Sequence, residues 1–316
     1  MEEFDIVVVG ELNVDLILQD LASFPEMGKE KIARGMILTM GSASAILASN
    51  LARLGVRVGF AGKLGEDQFA EVVLATLRER GVDTGGIVHD THSQTGITVA
   101  LSFPEDYAMV TYMGSMEEYT LEDVPFDYVR RGRHMHLSSY YLQPGLRAGC
   151  AELFRRCKEA GLTTSFDPGW DPEEKWDQDI REVLQFVDVL LPNEQEAVHI
   201  SGRQSTEDAL AELGETCEVV VIKLGSRGAV CRVEDKIIRT GTYTVDPVDT
   251  TGAGDSFNAG FLFEWLRGSD IEQCLTTGIA CGALATTKLG GSTASPTVGE
   301  LQAFLAEHDQ EDILIG

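Results

Sequence analysis

Apolar positions along the chain fall into two recurring patterns, and their exchange sets the expected fold. Ile6-Val7-Val8-Val9 is an unbroken apolar run ending at Gly10, the mark of a strand buried on both faces of a parallel sheet. Helical spacing then runs from Ala45 to Leu54 and stops at Gly55, and Val56-Arg57-Val58-Gly59-Phe60 reads as a strand. Phe69 to Arg80 is helical up to Gly81. Further strands are expected at His134–Leu137, Thr163–Phe166, Val187–Leu191 and Val219–Ile222, with helical stretches between them such as Leu146 to Glu159. Thr242–Val245 reads as one more strand, turned at Pro247 into a helix whose Phe257, Phe261, Leu262, Trp265 and Leu266 share a face. Strand–helix alternation on this scale predicts an α/β fold, a doubly wound, mainly parallel sheet with helices on both faces.

Some segments break the alternation. Leu12-Asn13-Val14-Asp15-Leu16 alternates with a period of two, which puts Asn13 and Asp15 together on one face. Lys29 to Thr39 looks extended, and Gly96–Phe103 and Met109–Tyr112 look like strands joined around Pro104-Glu105-Asp106. These pieces, from about 12–39 and 96–112, predict a small β-strand lid on a single domain spanning residues 1–316. No internal repeat or linker divides the chain.

Charge narrows the partners. The 316 residues include 51 acidic and 25 basic ones, for a formal net charge of −26. A nucleic-acid polymer would be repelled over most of such a surface, whereas a small phosphorylated ligand can be held by local amides and a metal ion. The six cysteines, Cys150, Cys157, Cys217, Cys231, Cys274 and Cys281, have no zinc-like spacing and read as free core thiols of a reducing compartment. The acidic start, Met1-Glu2-Glu3-Phe4-Asp5, lacks a signal-peptide pattern, and no apolar run is long enough to cross a membrane. A cytoplasmic protein is the expectation.

The candidate chemistry centres on Asp249-Thr250-Thr251-Gly252-Ala253-Gly254-Asp255-Ser256-Phe257. Glycines just before a helix leave backbone amides open to an anion at the positive end of the helix dipole. A carboxylate there would repel a phosphate, so Asp255 is either a helix cap or a base acting on the group that attacks phosphorus. Other polar residues follow strand ends: Asn13 and Asp15, Asn193 and Glu196, and Lys223-Leu224-Gly225-Ser226-Arg227-Gly228. Ligands of open α/β sheets bind at that edge. Tyr140, Tyr141 and His136 are candidates to line the same pocket, His136 reading more simply as a structural histidine. A P-loop is excluded, because Gly62-Lys63 is followed by leucine, and no G-x-G-x-x-G follows Gly10.

These residues resemble the ribokinase-like (PfkB) carbohydrate kinase family nearly end to end. Asp249 to Asp255, continuing Ser256-Phe257-Asn258-Ala259-Gly260-Phe261, is similar to the family's C-terminal signature. Gly41 to Gly65 is similar to its N-terminal signature, and Asn193-Glu194-Gln195-Glu196 to its N-x-x-E motif. The resemblance implies ATP-dependent phosphorylation of a hydroxyl of a small sugar, with Asp255 as general base and Gly252, Ala253 and Gly254 as anion hole. It implies sugar contacts at Asn13, Asp15 and Gly41, and a nucleotide edge at Asn193, Lys223, Gly225 and Gly228. Mg²⁺ would be organised by Asn193 and Glu196 through water, and a monovalent cation such as K⁺ by Asp249, Thr251, Ala285, Lys288 and Gly290.

One position departs from the pattern. Ile46 stands where the family usually has an asparagine on the sugar, so a hydroxyl loses its partner there. That favours an acceptor with an apolar edge or a missing hydroxyl and keeps a nucleoside kinase as the alternative. A sugar phosphate would call on Lys29, Lys31 and Arg34 of the lid. A catalytically silent sugar or nucleotide sensor is the non-enzymatic alternative, against which the intact Asp255 counts. An exposed lid edge invites a homodimer.

Overall fold

The computed structural model describes residues 3–103, 107–176, 178–288 and 295–308. Among the described residues there are thirteen strands: β1 (Ile6–Val9), β2 (Asn13–Gln19), β3 (Gly35–Met40), β4 (Val58–Gly65), β5 (Asp83–Asp90), β6 (Gly96–Ser102), β7 (Tyr107–Tyr112), β8 (His134–Ser138), β9 (Thr163–Asp167), β10 (Val189–Leu190), β11 (Val219–Lys223), β12 (Ala229–Val233) and β13 (Lys236–Thr240). Nine form one sheet in the order β13-β12-β11-β10-β9-β8-β1-β4-β5. Every pairing from β11 to β5 is parallel, and β12 and β13 add an antiparallel hairpin at one edge.

The main helices are α1 (Ala43–Arg53), α2 (Gln68–Glu79), α3 (Cys150–Glu159), α4 (Glu194–Ser201), α5 (Thr206–Leu213), α6 (Ala253–Trp265), α7 (Ile271–Thr286) and α8 (Val298–His308). Alternate residues of β1 enter opposite cores. Ile6 and Val8 pack with α1, α2, α6 and α7, while Val7 and Val9 pack with α3, α4 and α5. The sheet is therefore covered on both faces, as its unbroken apolar runs require. Cys150 and Cys157 lie in one core and Cys274 and Cys281 in the other, all buried and unbridged.

Four strands leave this frame and form a second sheet, in the order β3-β2-β6-β7. Large apolar side chains of its two outer strands are uncovered: Met36 of β3 is 68% exposed, and Met109 and Val110 of β7 are 59% and 68% exposed. Residues 20–34, expected to continue as strand from Lys29, are irregular until Gly35. The connection at Pro104-Glu105-Asp106 lies outside the described residues.

Three expectations need correction. The stretch Leu146 to Glu159 is two helices, Pro144–Arg147 and α3, broken where Gly149 packs against Leu121: a Cβ there would sit 2.5 Å from the Leu121 side chain. The strand at Val187–Leu191 shortens to Val189–Leu190. Thr242–Val245 is not a strand. The hairpin β12–β13 takes the sheet edge instead, and Tyr243 turns inward to pack its ring against Phe304 of α8, with centroids 5.1 Å apart.

The chain winds outward from β1 to β4 and β5, then returns through β8 and winds the other way to β11. This reversal between β1 and β8 opens a crevice beyond the strand ends, the usual ligand position of such sheets.

Candidate active site

The loop Asp249–Gly252 enters α6 through Gly252, whose φ of 72° is left-handed and favours glycine. No side chain caps this helix, so the first turn keeps amides free for a ligand. Ala253 N–H is the exception among the three expected anion-hole amides, since it donates to Thr250 O at 3.2 Å. Asp255 lies within the first turn and makes no capping bond, so the cap reading of this carboxylate fails.

Asp255 shares a cavity of about 350 Å³ with Asp167, Asn193, Glu196, Lys223 and Ser139. Burial first, and the negative charge of Asp167 second, push its pKa up to about 8, against the opposing pull of Lys223. Glu196 is raised to about 7 for the same two reasons. Asp167 goes the other way. Burial would raise it, but the Lys223 ammonium beside it holds it below the ordinary carboxylate range. Its Oδ2 accepts from Lys223 Nζ at 2.6 Å and from Asn258 Nδ2, and its Oδ1 accepts from Gly169 N at 3.1 Å.

Asn193 and Glu196 form a capping box on α4. Asn193 N donates to Glu196 Oε2 at 2.8 Å, Asn193 Nδ2 to Oε1 at 2.7 Å, and Glu196 N to Asn193 Oδ1 at 2.9 Å. Each carboxylate oxygen keeps a lone pair for a water. Among the described residues no cluster of three or more His, Cys, Asp or Glu is placed to hold a metal directly. The donor set therefore fits a Mg²⁺ bound mainly by phosphate oxygens and water, with Asn193 and Glu196 behind the water.

A second cleft of about 530 Å³ opens from the same place and shares Lys223, Gly225 and Gly254 with the first. Gly228, Tyr243, Val245 and Ala283 line it, so the segment misread as a strand is a wall of this cleft. Gly228 has a φ of 85°, and a Cβ would stand 2.0 Å from Thr240 O, so only glycine fits. Of the residues expected at the nucleotide edge, Lys223, Gly225 and Gly228 line this cleft and Asn193 lines the smaller cavity.

The loops of the expected monovalent-cation site meet in the backbone: Val248 N and Asp249 N donate to Thr286 O at 2.7 and 3.1 Å, and Thr251 N donates to Asp249 Oδ1 at 2.9 Å. Ala285 is buried and Lys288 exposed. Gly290 lies outside the described residues.

At the acceptor end, Asn13 Nδ2 donates to Asp15 Oδ1 at 3.1 Å and to Thr98 Oγ1 of β6 at 3.1 Å. Asn13 is buried, which rules out a solvated strand face. Burial pushes Asp15 up to about 6. A Cβ on Gly41 would stand 2.2 Å from Asp15 Oδ1, so glycine is what lets this carboxylate lie against the chain. Ile46, 5% exposed, belongs to neither apolar core, although its helix brings Ala43 to the catalytic cavity.

Sequence reasoning missed two carboxylates, Asp167 and Glu11. Glu11 is buried, accepts from Ser44 N at 3.2 Å and Gln143 Nε2 at 3.4 Å, and is held also by Ser44 Oγ. Burial raises its pKa. Its signal was its place one residue beyond Gly10, beside Asn13 and Asp15. Tyr140, Tyr141 and His136 line neither cavity; the two tyrosines pack into the apolar core and His136 is buried among hydroxyls.

Known proteins resemble this chain over nearly its whole length. The pattern of the pfkB family of carbohydrate kinases matches residues 3–298. An ATP-dependent ribose-1-phosphate kinase of Halopiger xanaduensis is 33% identical over 96% of this chain and 98% of that protein. A probable fructokinase-4 of Arabidopsis thaliana is 29% identical over 95% and 96%. A putative ribokinase II of E. coli, solved with ATP and Mg²⁺, superposes with a TM-score of 0.85 at 25% identity, over 96% of this chain and all of that one (100%). With its two clefts, its glycine turn and its carboxylates on that frame, the chain belongs to the pfkB family of carbohydrate kinases.

Proposed function

We propose that this ATP-dependent carbohydrate kinase phosphorylates a hydroxyl of a small uncharged sugar held between the lid and the main sheet, with Asp255 as the general base. The observation that carries the reading is the place of Asp255, at the uncapped start of α6 inside a cavity that shares Lys223, Gly225 and Gly254 with the larger cleft, where burial raises its pKa. A carboxylate tuned toward neutrality is a competent proton acceptor near working pH.

The larger cleft would take the nucleotide, with its phosphates reaching Lys223 and the glycine turn. The acceptor hydroxyl would stand between Asp255 and the γ-phosphorus. As its oxygen bonds to phosphorus, its proton passes to Asp255 and the bond to the ADP oxygen breaks, in line. Bound Mg²⁺ would neutralise phosphate charge, held through water by Asn193 and Glu196. The amides of Gly252 and Gly254 would receive charge on the transferring group.

Asn13 Nδ2 is spent on Asp15 and Thr98, which leaves Oδ1 as the atom offered to an acceptor hydroxyl. Lys29 and Lys31 both pair with Glu26, at 2.6 and 3.1 Å, so two of the three lid cations expected for a phosphate are engaged elsewhere. Glu11 and Asp15 make this end acidic, which supports an uncharged sugar. The relative named for ribose 1-phosphate favours the second reading, a sugar phosphate.

Asp249, Thr251 and Ala285 support a monovalent cation beside the anion loop. The uncovered apolar lid face supports a homodimer through β3 and β7.

The test is ADP release with D-ribose, D-fructose, ribose 1-phosphate and adenosine, with and without K⁺. The reading expects a free sugar to give the highest kcat/KM. Release with ribose 1-phosphate alone establishes the second reading, and none with any acceptor revives the silent sensor.

A further inference from the structure

Two neighbouring strands of the central sheet carry a line of polar side chains where their neighbours place valine and isoleucine. In the β8/β9 register His134 faces Thr163, His136 faces Ser165, and Ser138 faces Asp167. His134 meets Thr163 Oγ1 through Nδ1 and Ser165 Oγ through Nε2, both at 2.7 Å. His136 meets the same Ser165 Oγ through Nδ1 and Ser138 Oγ through Nε2, again at 2.7 Å. Thr163 Oγ1 reaches Arg133 O at 3.5 Å, so one end of the line has a fixed acceptor. His134, His136, Ser138 and Ser165 are all fully buried.

A neutral imidazole offers one donor and one acceptor, and a hydroxyl between two rings must donate to one and accept from the other. Burial pushes both histidines down to about 3, so both are neutral at any working pH. The line is therefore ordered in single file, and losing one rung leaves a buried group unpaired on either side. Buried polar side chains of this kind hold register more than they add stability.

The line ends at Ser138, one residue before Ser139 and across from Asp167, both of which line the catalytic cavity. Ser138 is the register partner of Asp167, Ser139 N donates to Asp167 O at 3.0 Å, and Asp167 holds Lys223 and Asn258. We propose that His134 and His136 are positioning residues for phosphoryl transfer: their hydroxyl-linked ladder fixes Asp167, and through it Lys223, on the wall of the cavity that holds Asp255. The proposal rests on the reading of that cavity as the transfer site. A displaced Asp167 releases Lys223 toward Asp255, which changes the base and the phosphate contact together.

The experiment uses whichever of D-ribose, D-fructose or ribose 1-phosphate the unaltered enzyme turns over fastest, with Mg-ATP binding followed by calorimetry. His136→Leu keeps bulk and removes both bonds, and Ser165→Ala removes the central rung with little change in packing. Each is expected to lower kcat about tenfold while leaving both KM values within about twofold, because a small misplacement near the chemistry acts on the barrier. His136→Asn, which returns a polar atom near the Nδ1 position, is expected to recover part of the loss. In an Asp167→Asn background neither His136→Leu nor Ser165→Ala should lower kcat further. Folded variants with unaltered kcat, or losses that add in full to that of Asp167→Asn, overturn the proposal. If His136→Leu does not fold, Ser165→Ala decides alone. Normal turnover by Asp255→Asn defeats the site reading itself, a result separable from any ladder outcome.

Discussion

The main sheet and the lid bury their side chains in opposite ways. In the body three carboxylates near the strand ends are enclosed: Asp167 of β9, Glu196 of α4 and Glu11 just after β1 are 6, 5 and 3% exposed, each held by several hydrogen bonds. The lid leaves large apolar side chains in solvent, Met36 and Val110 among them, and the loop beside it pairs Lys29 and Lys31 with its own Glu26. Buried, paired groups hold one geometry, which chemistry requires. A sheet with so much apolar surface uncovered, built from two excursions of the chain, is suited to move, which capture of a substrate requires. Asn13 and Asp15 belong to β2 of the lid, whereas Asp255 and Lys223 belong to the body. Binding and turnover should therefore separate by mutation.

The largest such separation is expected at Asp15. Asp15→Ala should lower kcat/KM for the acceptor about 10²-fold, the worth of hydrogen bonds to a charged group, and leave the KM for ATP within about twofold. Steady-state kinetics with both substrates varied checks it, and equal losses for both would place Asp15 elsewhere. Gly41→Ala should cost about tenfold on the same ratio, because its methyl would enter the space of Asp15 Oδ1.

Stability against pH sharpens the contrast from the side of the body. Asp255 and Glu196 have folded pKa values near 8 and 7, above their unfolded values, so the folded state binds more protons in that window. Stability should rise as pH falls from about 8 toward 7. Below about 6.5 the unfolded histidines bind the two protons that His134 and His136 refuse, which about matches the two that Asp255 and Glu196 hold in the folded state, so the rise should slacken there. The thermal midpoint should climb as pH falls from about 8 and level off below about 6.5, and Asp255→Asn should flatten the alkaline part of that climb.

The proposed dimer through the lid predicts a dimeric mass in sedimentation that Leu38→Lys shifts toward monomer, while the thermal midpoint moves by only a few degrees. The smallest effect concerns the whole surface. With a net charge of −26, added salt should raise the thermal midpoint by screening self-repulsion, and the dependence should weaken beyond about 1 M.

Local sequence carried much of this. The unbroken Val runs of β1 and β11 gave the parallel sheet, and the glycines around Asp255 gave the turn and its open amides. The same kind of reading failed where long-range geometry decides. Asp167 precedes Pro168-Gly169, so by sequence it belongs to a turn, and only strand pairing brings it to Lys223, 56 residues away. Glu11 acquires its role from Ser44 and Gln143, which no spacing reveals. Thr242–Val245 has the alternation of a strand, yet all four residues line a cleft and Tyr243 also packs on α8, a demand set by long-range neighbours and not by a sheet. The β12–β13 hairpin went unread for the opposite reason: its tight turn at Glu234, φ 51°, lacks the glycine that usually marks one.

The central claim is that Asp255 receives the acceptor proton. The direct measurement is ADP release by Asp255→Asn set beside calorimetric binding of Mg-ATP and of the acceptor. The account predicts turnover reduced by about 10²–10⁴-fold with both affinities kept within a fewfold. Near-normal turnover with intact binding would contradict it.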